Sequence, residues 1–337
     1  MKKISRDNIA IILNNNARKV NKKVKRQIEE LIPQKNIFYT NSLEEADATI
    51  AKILDIGYTH IFTGGGDGTL IHFINKMKEI KKNDKIKAKL PAIGILRLGT
   101  GNAVAIYTNS GKKIANDLKA LLKGGSYKTD KIDFIKIDNR YFTFGGFGAD
   151  ALVLNDYDMM KKIPNKTVKY IFAGLKGYFI SGLAITLPKI ILQNNQNYVE
   201  IYANSNSVYK VSMSKGYTDM KIKKGDLIYK GPFTSVAMGT TPFYGYGLKS
   251  FPFANKKKGY FQIRILDIPL ILLAYKIIKA WDGIYEGKDV IDFLVQDVII
   301  KFRKATPLQI AGDAAGYKKE TRVNLSKEKL DFINFKE

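Results

Sequence analysis

The chain is expected to fold as an N-terminal parallel α/β domain followed by a β-rich domain of sandwich type. Three observations predict this. Strand-like and helix-like patterns alternate through the first 125 residues. Two glycine-rich loops, at 64–69 and 98–102, each follow a short apolar run. Beyond residue 126 the texture changes to short, alternating runs of β-branched and aromatic residues with turn residues between them. Alternating elements imply parallel strands with right-handed crossovers, and short alternating runs imply antiparallel sheets. With 337 residues and 45% hydrophobic content, the chain is long enough for two cores.

In order, residues 9–13 are an apolar strand run, followed by Asn14-Asn15-Asn16 and a helix with Val20, Val24, Ile28 and Leu31 on one face. Residues 36–40 read as a second strand. Ser42-Leu-Glu-Glu45 is a capping box opening a helix to about Ile56, with Gly57 as its stop. The third strand, 60–63, runs into the first glycine loop, and Leu70, Ile71, Ile74, Met77 and Ile80 follow at helical spacing. Residues 92–96 form a fourth strand before the second loop, and a helix over about 112–123 ends at Gly124-Gly125. The expected boundary lies near 126, and residues 326–337 are expected to return to the first domain. In the second domain (127–325), strands are expected at 131–138, 140–145, 198–203, 208–213, 226–240, 260–266, 298–303, 308–310 and 321–325, with helical patches at 166–184 and 269–281.

Composition narrows the chemistry. No cysteine is present, which removes disulfides and thiolate metal sites, and two histidines exclude a histidine-rich metal centre. The N-terminal residues lead directly into a strand pattern without a signal-type apolar core. The most apolar stretches, 168–192 and 265–281, carry lysines (Lys169, Lys176, Lys189; Lys276, Lys279) and prolines, so neither is expected to span a bilayer. The expectation is a soluble, cytoplasmic protein. Its 56 basic against 31 acidic residues, net +25, attract anionic membranes, nucleic acid or phosphorylated molecules. No zinc-finger, RNA-binding or helix-turn-helix signature is present, so nucleic acid is not expected as a partner.

Residues 61–70, Ile-Phe-Thr-Gly-Gly-Gly-Asp-Gly-Thr-Leu, are the most informative stretch. Glycines let backbone amides approach a ligand closely, and amides converging at a helix N-terminus form an anion site whose usual occupant is phosphate. Asp67 inside such a cradle is unfavourable unless a cation sits beside it, and a phosphate-bound Mg²⁺ resolves the conflict. In the second loop, Leu98-Gly-Thr-Gly-Asn102, Thr100 and Asn102 add side-chain donors. Ligands of parallel sheets bind at the carboxyl ends of the strands, where both loops fall.

Gly64-Gly65-Gly66-Asp67-Gly68-Thr69 and Gly94-Ile-Leu-Arg-Leu-Gly-Thr-Gly-Asn102 together resemble the diacylglycerol kinase catalytic-domain family, which includes bacterial lipid kinases, sphingosine kinases and ceramide kinase. The similarity continues through Ile132-Asp133, Gly145-Gly-Phe-Gly-Ala-Asp150, the 245–252 stretch and Ile310-Ala-Gly-Asp-Ala-Ala-Gly316. The resemblance implies an ATP-dependent kinase acting on a lipid hydroxyl. It also implies an N-terminal domain related to NAD kinase and phosphofructokinase, a C-terminal β-sandwich, and an active site in the interdomain cleft. Gly64, Gly65, Gly66, Asp67, Gly68 and Thr69 would hold the triphosphate and its Mg²⁺, with Thr100, Gly101 and Asn102 completing the pocket. Asn14, Asn16 and Arg18 match an early nucleotide-contacting turn, and Thr40 a contact after the second strand. Asp133 matches an acidic residue of the active-site network. Aligning Gly312 and Gly316 places Asp313 on the family's proposed catalytic Glu and Ala311 on the preceding Asp; a register shifted by two would place Ala315 on the Glu, and the first is preferred because it keeps a carboxylate for base catalysis.

Two departures stand out. Ala103 replaces an Asp that commonly follows Gly-Thr-Gly-Asn, and Asn255-Lys-Lys-Lys258-Gly replaces an acidic loop linked to a structural Mg²⁺. Three lysines cannot ligate a cation, and they could instead face anionic headgroups. Either Asp313 or Asp67 would accept the hydroxyl proton. Phe172, Leu175, Phe179, Leu270 and Leu273 would line an acyl-chain pocket or the sandwich core. The rival readings are a soluble-substrate kinase of the NAD kinase type and a weakly catalytic lipid- or nucleotide-binding module. The acceptor is not legible, nor is the oligomeric state, a homodimer being one option. A basic surface makes peripheral membrane association an expectation.

Overall fold

The computed structural model describes residues 4–83, 90–124, 127–161, 197–269, 272, 276 and 281–335. The helical patch expected at 166–184, most of that at 269–281, and the candidate pocket residues Phe172, Leu175, Phe179, Leu270 and Leu273 lie outside the described residues. The chain divides into two units, Met1–Asp133 with Lys327–Glu337, and Phe134–Ser326. Unit 1 begins β1 (Ile9–Asn14), α1 (Lys22–Glu29), β2 (Ile37–Thr40), α2 (Leu43–Ile56), β3 (His60–Gly65), α3 (Asp67–Lys82) and β4 (Ala92–Arg97). It continues with α4 (Ala103–Tyr107), α5 (Ile114–Leu122) and β5 (Lys128–Ile132). Unit 2 opens with β6 (Ile135–Ile137), β7 (Arg140–Phe142), β8 (Phe144–Gly148), α6 (Ala149–Lys161) and β9 (Tyr198–Ala203). There follow β10 (Tyr209–Ser212), β11 (Gly216–Asp219), β12 (Leu227–Pro232), β13 (Ser235–Gly239), β14 (Phe261–Leu266) and β15 (Val290–Val295). The long pair β16 (Asp297–Ile310) and β17 (Asp313–Leu325) closes unit 2, and β18 (Leu330–Asn334) returns to unit 1.

Unit 1 is a six-stranded sheet in the order β2-β1-β3-β4-β18-β5. All neighbours are parallel except β5, which runs antiparallel to β18. The central strands are almost wholly buried, as parallel strands covered on both faces must be. Ile9, Ile11, Leu13, Phe62 and Leu96 pack there with Ile28 of α1 and Leu118 and Leu121 of α5. The Ser42 hydroxyl accepts the Glu45 N–H at 3.2 Å while the Glu45 carboxylate accepts the Asn41 N–H at 2.7 Å, so α2 opens on reciprocal caps. Gly57 closes it at φ +82°.

The division falls at Asp133/Phe134 rather than at 126, because β5 pairs with β18 along 128–132 and only β6 begins the second unit. The single strand expected at 131–138 is thus two strands in different units, and that expected at 226–240 is interrupted between β12 and β13. β11, β15, β18, α4 and α6 were not anticipated.

Unit 2 is antiparallel and two-layered. β16 pairs with β9 over 298–302 and with β8 over 308–310, and between those stretches its register against β17 shifts, from Lys301 to Thr306. One strand therefore serves both layers, as corner strands do when a bulge lets them change partners. The first layer runs β12-β9-β16-β17-β6-β7, and the second continues from β16 through β8, β13, β14, β15, β10 and β11. Phe147 of β8 lies 4.9 Å from Phe302 of β16, and Phe233 lies 5.4 Å from it, so the layers meet through aromatic rings. Buried within the second layer, Arg264 holds Asp292 through two bonds of 2.9 and 2.8 Å, and Gln262 adds a third at 2.7 Å.

Candidate functional site

β1, β3 and β4 are parallel neighbours, with Leu13 opposite Gly64 and Gly65 opposite Arg97. Their carboxyl ends therefore deliver the 15–21, 66 and 98–102 connections to one edge of the sheet. The two glycine loops touch through backbone. A Cβ built on Gly99 would lie 2.1 Å from the Gly66 Cα and 2.7 Å from its N, so only glycine permits this approach. A Cβ on Gly66 meets only the Gly99 Cα, at an ordinary contact distance of 3.5 Å, so the position has room for a methyl group.

Asp67, the first residue of α3, is buried. Its carboxylate accepts the Ala103 N–H at 3.1 Å and the Val104 N–H at 3.4 Å, the first two amides of α4. The carboxylate thus clamps the second loop to the first and sits at two helix N-termini, where negative charge is favoured. Asn102 adopts a left-handed conformation at φ +53° and is buried. Its carboxamide donates to the Gly99 O at 2.7 Å and accepts the Gly99 N–H at 3.1 Å. It shapes the loop from inside, so the side-chain donor expected from the sequence is engaged within the loop itself. Thr100, by contrast, is exposed, and Gly101 is partly so.

The early turn joins the same edge. Asn14 donates to the Thr69 hydroxyl at 3.1 Å and accepts the Asn16 N–H at 2.9 Å, and Asn16 donates to the Asn41 O at 2.7 Å. Thr40 is buried and turns its hydroxyl to the Leu13 O at 3.4 Å, inside the sheet. Arg18 is exposed. Lys19 bonds the Leu98 O through its backbone N–H at 3.3 Å. Partial burial, then Arg97, Arg18 and Lys112, hold its ammonium below the ordinary lysine range. Lys19, Arg97 and Lys112 were missed from sequence, although Arg97 and the Arg18-Lys19 pair directly flank the loops.

Gly64, Gly65, Gly66, Asp67, Gly68, Thr69, Asn14, Asn16, Gly101 and Asn102 are thus assembled at one sheet edge. Asp133 is half-buried and ion-paired at 2.8 Å with Lys329, on the returning segment, a partner the sequence did not signal. Asp313 belongs to unit 2, where it is exposed and begins β17 after the Ala311-Gly312 turn, with φ +51° and +86°. In the lysine loop, the Lys257 ammonium lies 4.3 Å from the Tyr209 ring centre and 5.4 Å from that of Tyr260, a cation–π arrangement. Among the described residues no group of three or more His, Cys, Asp or Glu side chains could hold a metal ion.

Unit 2 also holds a carboxylate given no role by the sequence. Asp150, in the first turn of α6, accepts the Ser235 hydroxyl at 3.0 Å, the Tyr244 hydroxyl, and the Gln309 amide at 3.3 Å. Burial pushes its carboxyl up from the ordinary range, and the donors from Tyr244, Gln309 and Ser235 oppose that rise.

Comparison with known proteins bears on this geometry. Residues 8–135 match the family model for the diacylglycerol kinase catalytic domain. A curated relative named "Probable lipid kinase YegS-like", from Alcanivorax borkumensis, is 23% identical over 233 residues, covering 68% of this chain and 62% of the relative. A "Diacylglycerol kinase" of Staphylococcus epidermidis is 22% identical over 241 residues, covering 72% of this chain and 63% of the relative. The match thus spans under two thirds of each relative's length. A crystal structure of a diacylglycerol kinase from Bacillus anthracis superposes with a TM-score of 0.62 at 14% identity, covering 97% of this chain and 96% of that one. That likeness extends the shared fold over both units.

Proposed function

We propose, from the match of residues 8–135 to the diacylglycerol kinase catalytic-domain model, that this chain is an ATP-dependent lipid kinase. It transfers the γ-phosphoryl group of ATP to a lipid hydroxyl. The observation that carries the reading is the apposed pair of glycine loops, clamped by Asp67 and with room for a Cβ over Gly66. Backbone amides open α3 beside the second loop, and Arg97, Arg18 and Lys112 act electrostatically on Lys19, whose backbone N–H bonds the Leu98 O of that loop.

In this reading Gly64–Thr69 and Thr100–Asn102 hold the triphosphate, with Asn14 fixing the Thr69 hydroxyl and Asn16, Arg18 and Thr40 supporting the adjoining edge. The donor set suits Mg²⁺ arriving with the phosphates, since Asp67 is the loop's one carboxylate and Mg²⁺ keeps most of its ligands from phosphate and water. The ion would neutralise charge on the transferring group. Of the two candidate carboxylates, Asp67 is engaged by two α4 amides and we assign the acceptor's proton to Asp313, on its exposed hairpin turn, with Asp67 the alternative. A general base must come within about 3 Å of that proton or act through one water.

Among the described residues no helix is long and apolar enough to cross a membrane. The net charge of +25 supports peripheral attachment to anionic bilayers. Sedimentation with anionic vesicles is expected at low salt and release at high salt.

The decisive test of the activity is incubation of purified protein with Mg²⁺, labelled ATP and a lipid extract, with products resolved by mass spectrometry. Label in a phosphorylated hydroxyl lipid is the expected result. ATP binding with no labelled lipid across a broad panel would favour the binding-module reading, and label in NAD the soluble-substrate one.

A further inference from the structure

The turn carrying Asp313 is held by a buried polar chain that starts at the N-terminus of α6. Asp150 is fixed there by the Ser235 hydroxyl on one oxygen and the Tyr244 hydroxyl on the other. Gln309, 2% exposed, points its amide nitrogen at both the Asp150 carboxylate and the Tyr244 oxygen. With the nitrogen facing two acceptors, the carboxamide oxygen must face the other way, and it accepts the Gly312 N–H at 2.9 Å. The Ala311 N–H meets the Phe144 O at 3.0 Å, so both turn residues are tied to groups outside the turn.

The strand beneath makes room for this chain. Gln309 lies opposite Gly146 and Ile310 opposite Gly145. A Cβ on Gly146 would lie 2.5 Å from an Asp150 oxygen, and one on Gly145 2.9 Å from the Gln309 O. Tyr244 is itself packed by Phe144 and Phe251, at 5.2 and 5.8 Å between ring centres. A two-residue turn with φ > 0 at both positions suits Asn-Gly or Asp-Gly far better than Ala-Gly. The local sequence alone therefore leaves Ala311 strained at φ +51°. Bonds from outside must hold it.

We propose that Gln309, locked by Asp150 and Tyr244, is a positioning residue that sets the Ala311-Gly312 turn and thereby the direction of Asp313. The proposal rests on the reading of Asp313 as the group that accepts the acceptor's proton. In this role the three act through the turn rather than on substrate directly.

Two variants test it, Gln309→Met, which removes donor and acceptor at similar volume, and Tyr244→Phe, which keeps the ring and removes the hydroxyl. Amide exchange at 310–313 is followed by mass spectrometry, with 298–302 and 321–325 as internal controls. Label transfer from ATP into a lipid extract is measured in parallel. In Gln309→Met, exchange at the turn is expected to rise about tenfold with the controls unchanged. Turnover is expected to fall about tenfold at an unchanged KM for ATP. Tyr244→Phe should shift both in the same direction by less. A turn that exchanges as in the wild type overturns the proposal, and so does a loosened turn with unchanged turnover. A wild type that labels no lipid overturns the kinase reading instead, and the exchange data, which need no turnover, tell the two failures apart.

Discussion

Gly66→Ala separates a loop that is glycine-rich for folding from one that is glycine-rich for a ligand. Gly66 caps α3 at φ −100° and ψ −172°, extended backbone that any residue adopts. The added methyl meets only the Gly99 Cα, at an ordinary 3.5 Å. Restricting the unfolded chain contributes about 0.4–1 kcal/mol, and exchanging Gly for Ala at an N-cap costs about as much. Stability is therefore expected to stay within about 0.5 kcal/mol of wild type. Ligand binding should not. A phosphate oxygen bonded to an amide sits about 2.9 Å from the nitrogen, in the space the methyl would fill. Losing one or two charge-assisted bonds costs roughly 3 kcal/mol, or about a hundredfold in Kd for Mg-ATP. Equilibrium dialysis with labelled ATP beside a thermal melt reads both quantities. Unchanged affinity at wild-type Tm would refute the claim that phosphate lies over Gly66. The mirror substitution, Gly99→Ala, puts its methyl 2.1 Å from the Gly66 Cα and 2.8 Å from the Gly65 O, both backbone. The loops must part, so it is expected to destabilise by about 3 kcal/mol or more through overpacking and stretched Asp67 bonds.

Three other perturbations follow from named contacts. Asp67→Asn turns an NH₂ toward one of the α4 amides and removes the charge, so urea unfolding should show a loss of about 2–4 kcal/mol, with ATP affinity falling as the loops separate; unchanged stability would contradict the clamp. Asp292→Ala leaves the buried Arg264 guanidinium unpaired and is expected to cost about 3–5 kcal/mol in a denaturant melt, whereas a neutral result would mean water reaches the pair. Burial, then the 2.8 Å bond to Glu29, pushes the Tyr39 phenol up to about 12. The folded state thus favours the neutral phenol, a contribution complete below the unfolded value near 10 and lost as pH climbs through 12. In Tyr39→Phe, the ultraviolet titration should lose one phenol ionising near pH 12, and that part of the alkaline destabilisation should vanish.

The parts of the site legible in sequence were those written locally. An apolar run, a glycine cluster and an amphipathic helix specify β3, the loop and α3 within about two dozen residues, and the same holds for β4 and the second loop. What stayed hidden depends on partners far along the chain. Residues 131–138 read as one strand because nothing local says that β5 will pair with β18, from the C-terminal end. β16 and β17 were read short because Lys301, Arg303, Lys304, Lys318 and Lys319 break the apolar alternation where the hairpin is solvated. Ala103 looked like the loss of an acidic group, yet it is its backbone N–H that meets Asp67, and any residue but proline supplies one. Gln309 reaches Tyr244 across 65 positions and Asp150 across 159, so no motif could pair them.

Titration of the wild-type protein with Mg-ATP in a calorimeter tests the central claim most directly. Saturable binding near one equivalent, weakened at high salt and about a hundredfold weaker in Gly66→Ala, is the result expected if the clamped glycine loops hold a nucleotide's phosphates. Absence of heat and of saturation up to millimolar ATP would contradict it.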